Sequence, residues 1–203
     1  MSTFPTSRHV LEPDCERCPV LVTCRERISW GTGPLDADVM VVGEAPGSGN
    51  PDADRWRGGN WTGRAYTTRH SGRRIRTLFS DLGYEPYYTN AVKCYPCDGE
   101  GGNRPPTDEE LATCRSHLEA ELETVEPSVI VTTGSHATRT VLAFCDRTIE
   151  GFLDHVLEPI ELDAIGPSVL PILHPSYQDV WIGRLGYEPE AYERAIKERL
   201  NTL

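Results

Sequence analysis

A carboxylate in Gly43-Glu44-Ala45-Pro46-Gly47, an amide at Asn90 and an imidazole in His174-Pro175-Ser176-Tyr177 are the side chains best suited to chemistry on a small polar ligand. A carboxylate holds a water or a positive charge, an amide offers a donor and an acceptor together, and an imidazole exchanges protons near neutral pH. Thiols form the second chemical group. Cys15 and Cys18 are separated by two residues, and Cys24, Cys94, Cys97, Cys114 and Cys145 follow. Two thiolates at that spacing reach one metal from a single turn. Taken singly, Asn90 equally suits a capping side chain and His174 a structural histidine before proline.

The elements that must position these groups are short and alternate in type. Val39-Met40-Val41-Val42 is an apolar, mostly β-branched run that reads as a strand buried on both faces, and Gly43 to Gly47 turns the chain at its carboxyl edge. Tyr87 to Lys93 reads as a second strand that delivers Asn90 and then Cys94. Ser128 to Thr133 reads as a third, ending at Gly134-Ser135, and Val169 to Leu173 as the last, presenting His174. Weaker strand signals lie in 146–168. Apolar residues at Ile75, Leu78, Phe79 and Leu82 predict a helix over 71–82 with a basic start. Thr107 and Glu110 form a capping box for a helix to about Thr124, which carries Cys114 in its second turn. Further helices follow to about Phe144 and from Tyr187 to Leu200.

Such alternation predicts an α/β fold: a three-layer sandwich with a central, mostly parallel four-stranded sheet flanked by helices, plus an N-terminal cysteine-bearing segment. The expected organisation is one domain over 1–203, with 1–35 laid as a cap on an α/β core of 36–203. Parallel strands gather their carboxyl ends at one edge, so Glu44, Asn90 and His174 are expected to converge there.

Composition limits the partners. The net charge of −11 counts against a phosphate-rich ligand, yet arginines concentrate at Arg55, Arg57, Arg64, Arg69, Arg73, Arg74 and Arg76 while acids crowd elsewhere, as in Glu119 to Glu126 and Glu150 to Asp163. Trp56 and Trp61 lie among the first of these arginines in a long polar loop, 48–63, a mixture suited to stacking on bases and contact with phosphates; the same rings could instead fold back onto the core. The few lysines and many acids also suit a protein kept soluble in high salt. No run is long enough to span a membrane, and the first residues lack the pattern of a signal peptide, so the expectation is a cytoplasmic protein. Seven cysteines there argue against a disulfide framework and for metal ligation or scattered core thiols, with Cys145 a buried, inert one.

Five motifs in order resemble the uracil-DNA glycosylase superfamily, most closely its iron–sulfur members, families four and five: Gly43-Glu44-Ala45-Pro46-Gly47, Thr62-Gly63-Arg64-Ala65-Tyr66-Thr67, Thr89-Asn90-Ala91-Val92-Lys93-Cys94, Asn103-Arg104-Pro105-Pro106 and His174-Pro175-Ser176-Tyr177. The resemblance implies that Cys15, Cys18, Cys94 and Cys114 ligate a structural [4Fe-4S] cluster, with Cys97 as the competing third ligand and zinc as the competing metal. It implies a monofunctional enzyme of base excision repair whose partner is uracil-containing DNA. By resemblance the base rests in a pocket of Gly43, Tyr66 and Asn90, where Tyr66 stands at a position more often Phe. His174 donates to O2 and Glu44 positions water or stabilises the sugar cation. Arg64, Arg73, Ser176, Val180 and Arg184 are the implied DNA contacts, with Val180 or Trp181 as the wedge into the gap left by the base. The chain departs from the family at Ala45, where the best-known members place Asp, and at Thr68-Arg69-His70, where family five has one. The expected state is a monomer, a sliding-clamp partner being left open, and the competing function is an inactive iron–sulfur nucleic-acid-binding module.

Overall fold

The computed structural model describes residues 4–99, 102–162 and 166–203; Glu100 and Gly101 of the loop after Cys97, and Asp163 at the end of an acidic stretch, lie outside the described residues. In chain order the elements are α1 (Pro19–Cys24), β1 (Val39–Gly43), α2 (Gly59–Thr62), α3 (Ser71–Leu82), β2 (Tyr87–Asn90), α4 (Asp108–Val125), β3 (Val129–Thr133), α5 (Ser135–Leu142), β4 (Ile160–Glu161), β5 (Ser168–Ile172), α6 (Gln178–Trp181) and α7 (Pro189–Leu200).

One sheet runs in the order β2-β1-β3-β5-β4, and every pairing is parallel except β4 with β5. It therefore has five strands where four are expected. The extra one, β4, is two residues long and antiparallel, too short for alternation in the sequence to reveal it. It covers only the start of β5. Beyond it Pro171, in the middle of β5, turns toward the open edge, where its carbonyl accepts from Leu157 N at 2.9 Å and its missing N–H is not needed.

The sheet is buried on both faces, and alternate residues sort to opposite sides. Val39, Val41, Val129, Val131, Leu170 and Ile172 pack with Ile75, Phe79, Tyr192 and Ile196, so α3 and α7 form one outer layer. Met40, Val42, Ile130 and Val169 pack with Leu118, Val141 and Leu142, so α4 and α5 form the other. A third cluster joins Leu21, Ile28 and Trp30 of the N-terminal segment to Val92, Cys94 and Cys114. The capping box forms as read: Glu110 N donates to Thr107 Oγ1 and Thr107 N to Glu110 Oε2, while Arg104 adds two bonds to the Glu110 carboxylate. No helix among the described residues is long and apolar enough to cross a membrane.

One expectation is corrected, and for Trp56 one of the two alternatives is met. Cys24 and Cys97 form a disulfide, because the end of α1 and the loop after β2 hold their Cα atoms 5.5 Å apart, within bridging range. Trp56 meets the ring of Phe4 edge-on at 5.3 Å between centroids, so the polar loop folds back onto the N-terminal segment.

Candidate active site

The carboxyl ends of the strands come together as the parallel register requires. Gly43 pairs with Asn90, and one pocket is lined by Gly43, Glu44, Tyr66, Asn90, Thr133 and His174, with Pro46, Thr68 and Ser71 at its sides. Gly43 is there because nothing larger fits. A Cβ on it would lie 2.5 Å from Asn90 Oδ1 and 2.8 Å from the Tyr66 hydroxyl. Asn90 is buried, and among the described residues no hydrogen bond engages its side-chain amide, which leaves donor and acceptor available to a ligand.

Tyr66 enters the pocket from a backbone with φ of 53°, a left-handed conformation uncommon outside glycine. Three contacts hold it. Its hydroxyl shares a 2.8 Å hydrogen bond with Thr133 Oγ1, Arg76 Nε donates to its carbonyl at 2.9 Å, and α3 packs against it at Gly72, where a Cβ would lie 2.5 Å from the Tyr66 carbonyl carbon. Arg76 also donates to Ala65 O and Thr32 Oγ1. Burial lowers the pKa of this guanidinium to about 10. Thus Arg76, one of the arginines of the basic helix start read from sequence, is buried and braces the wall of the pocket.

His174 is half-buried, and its Nδ1 accepts from Ser176 N at 3.2 Å. A backbone N–H can only donate, so the neutral ring carries its proton on Nε2. Burial, followed by the charge of His136, pushes the His174 pKa down and favours that neutral form. Burial pushes the Glu44 pKa up, and His136 partly opposes the shift. His136, exposed in the first turn of α5, carries a charge felt at the site that sequence reading did not anticipate. Its only signal was its place directly after Gly134-Ser135, the third strand end. Gly134 is a close approach of the same kind, since a Cβ there would stand 3.0 Å from His174 Cβ.

The expected DNA contacts are exposed, with one exception. Ser176 is exposed beside His174, and Val180 is 63% exposed in α6 next to Tyr177 at 62%. Arg73 is exposed at the start of α3, and Arg184 is exposed with its guanidinium 4.4 Å from the Trp181 ring centroid. Arg64 is not brought to the pocket. It is half-buried against the N-terminal segment, bridged to Trp30, with Nη1 donating to Thr62 O. Arg74, named from sequence only as one of the clustered arginines, clamps α3 to the His174 segment through two bonds to Asp179 and one to Pro175 O.

Cys15, Cys18, Cys94 and Cys114 line one small cavity with Leu21, Arg25, Lys93 and His117. All four are free thiols, whereas Cys97 is engaged with Cys24, so Cys94 and not Cys97 lines this cavity. Burial and the neighbouring thiols push Cys18 and Cys94 up, and Cys114 rises to about 12. Thiols packed this way ionise together only around a cation, which is the donor set an all-thiolate metal or cluster site needs. Donors already face the sulfurs: Lys93 N points to Cys114 Sγ and Arg25 Nη1 to Cys94 Sγ, each at 3.3 Å, and His117 Nε2 lies 3.5 Å from Cys15 Sγ.

A model of the uracil DNA glycosylase superfamily matches residues 30–199. The chain is similar to a type-5 uracil-DNA glycosylase of Pyrobaculum aerophilum, 35% identical over 206 residues that cover 86% of this chain and 84% of that protein. It is similar also to type-4 uracil-DNA glycosylases of Thermotoga maritima, 33% identical over 80% of this chain and 77% of that protein, and of Archaeoglobus fulgidus, 30% identical over 80% and 76%.

Proposed function

The chain belongs to the uracil DNA glycosylase superfamily, and on that premise we propose that it hydrolyses the N-glycosidic bond of deoxyuridine in DNA, as a monomer in the cytoplasm, releasing uracil and leaving an abasic sugar. The observation that carries the reading is the convergence of Glu44, Asn90 and His174 on one pocket walled by Tyr66.

The target base must leave the stack to reach such a pocket. The Tyr66 ring supplies a face for it, and the Asn90 amide reads one edge, accepting from N3–H and donating to O4, a pattern cytosine does not match. As the glycosidic bond breaks, negative charge grows on the base. His174, neutral and donating from Nε2, stabilises it at O2, the role of an oxyanion donor placed in advance. Glu44, whose pKa burial raises, is a stronger base than an exposed glutamate and accepts a proton from the attacking water or faces the developing sugar cation. Arg73 and Arg184 serve the backbone phosphates, Ser176 the strand beside the pocket and Val180 the gap left by the base.

Cys15, Cys18, Cys94 and Cys114 are the residues that would hold a [4Fe-4S] cluster, which when bound supplies a structural cross-link between the N-terminal segment, the loop after β2 and α4. The test of the function is product analysis with purified, iron-loaded protein and a single-stranded oligonucleotide bearing one uracil. Free uracil and a strand with an intact backbone but an abasic site are expected; binding without release would identify a binding module instead.

A further inference from the structure

We propose that the buried pair Lys93–Glu121 is a positioning device that sets Asn90 against the base and ties it to the cysteine cage, an inference that rests on the uracil-excising reading above. Both side chains are enclosed, at 1% and 0% exposure. The Lys93 ammonium has three N–H donors and three acceptors: Glu121 Oε2 at 2.6 Å, Thr89 Oγ1 at 2.7 Å and the backbone carbonyl of Asn90 at 2.6 Å. Glu121 is equally committed, accepting from Thr89 Oγ1 at 2.6 Å and from the Tyr87 hydroxyl at 3.0 Å. Every polar atom of this network thus has a partner, the Tyr87 hydroxyl lying also 3.2 Å from His9 Nδ1, and two of its members, Tyr87 and Thr89, stand on β2, the edge strand that ends at Asn90.

Its second end lies in the cage. The backbone N–H of Lys93 points at Cys114 Sγ, the next residue is Cys94, and Glu121 stands seven positions after Cys114 on the same helix, α4. One residue therefore touches a cage sulfur with its main chain and the carbonyl of Asn90 with its side chain. Since no hydrogen bond among the described residues holds the Asn90 amide itself, the direction of that amide depends on its backbone and on the close approach of Gly43. A buried ion pair kept only for folding is commonly replaceable by neutral groups without loss. A pair that aims a reading group is not, because a displacement of about 1 Å at a reacting centre lowers the rate by about a hundredfold.

The experiment uses iron-loaded Lys93→Met/Glu121→Gln protein, which removes both charges together and leaves neither buried alone, beside wild type, Asn90→Ala and the triple variant. Iron and sulfide content, kcat/KM on a uracil oligonucleotide and inhibition by free uracil are measured for each. A loss of about a hundredfold in kcat/KM is expected, with weaker inhibition by uracil. In the Asn90→Ala background the same two substitutions change kcat/KM by no more than about twofold, since they act through Asn90. Wild-type kcat/KM in the double variant, or an equal loss with and without Asn90 at equal iron content, overturns the proposal. If the double variant holds no iron, Thr89→Val, which keeps both charges and removes only the bridging hydroxyl, is read by the same cycle, with a smaller loss expected. Failure of wild type itself to release uracil would count against the excising function, not against the pair.

Discussion

Replacing Gly43 with alanine adds one methyl group where the structure leaves no room for it. The new Cβ would lie 2.5 Å from Asn90 Oδ1, 2.8 Å from Tyr66 Oη and 3.1 Å from Tyr66 Cζ. Ordinary contact begins near 3.4 Å, so the amide must retreat by about 0.9 Å, a displacement of the size that costs about a hundredfold in rate, or about 2.7 kcal/mol of transition-state stabilisation. Tyr66 resists, bound to Thr133 by its hydroxyl and to Arg76 by its carbonyl, so the Asn90 amide, which no hydrogen bond among the described residues holds, is the group that must turn away from the base. Overpacking should reduce stability by about 1–3 kcal/mol, so melting temperature and iron content are recorded with single-turnover excision of uracil. The expected result is a folded, iron-containing protein whose kcat/KM falls about a hundredfold. Wild-type kcat/KM in Gly43→Ala would refute the claim that the amide and the ring meet the base at this strand end.

The remaining predictions concern the cage, the acid limb and the aromatic wall. Cys114→Ser should lose iron and sulfide, whereas Cys97→Ser should keep both and lose only the disulfide's contribution, about 2–4 kcal/mol, to thermal unfolding; iron loss in Cys97→Ser would contradict the assignment of Cys94. The acid limb of kcat/KM should lie above the ordinary carboxylate range, because burial raises the Glu44 pKa and the rate falls as pH drops and Glu44 protonates. Burial pushes the His174 pKa down, away from the usual imidazole range, and a limb unmoved in Glu44→Gln would assign it elsewhere. Tyr66→Phe keeps the ring and removes the bond to Thr133; it should cost about 0.5–1.5 kcal/mol in chemical denaturation while excision persists, and abolished excision would mean the hydroxyl does more than anchor the ring.

The strand ends were legible because their signals are local. An apolar run followed by Gly43, another by Gly134, and a His-Pro after Leu173 each mark the carboxyl end of a strand, and a parallel sheet leaves such ends little choice but to meet. The N-cap of α4 was legible for the same reason. What the sequence could not display depends on contacts between distant segments. Arg76 belongs to a basic run on the polar side of an amphipathic pattern, and only the fold reveals that the Tyr66 loop closes over it. The left-handed backbone of Tyr66 has no glycine to announce it. The charge of His136 acts on Glu44 and His174 only through the placement of α5, and Cys24 meets Cys97 across 73 residues. Strand β4, two residues long, carries no periodicity at all.

The claim on which the account stands is that carboxylate, amide and imidazole act on one base, and single-turnover excision by Glu44→Ala, Asn90→Ala and His174→Ala, each at wild-type iron content, tests it most directly. Each variant is expected to lose about a hundredfold or more in the excision step. Wild-type rates in any two of them would contradict it.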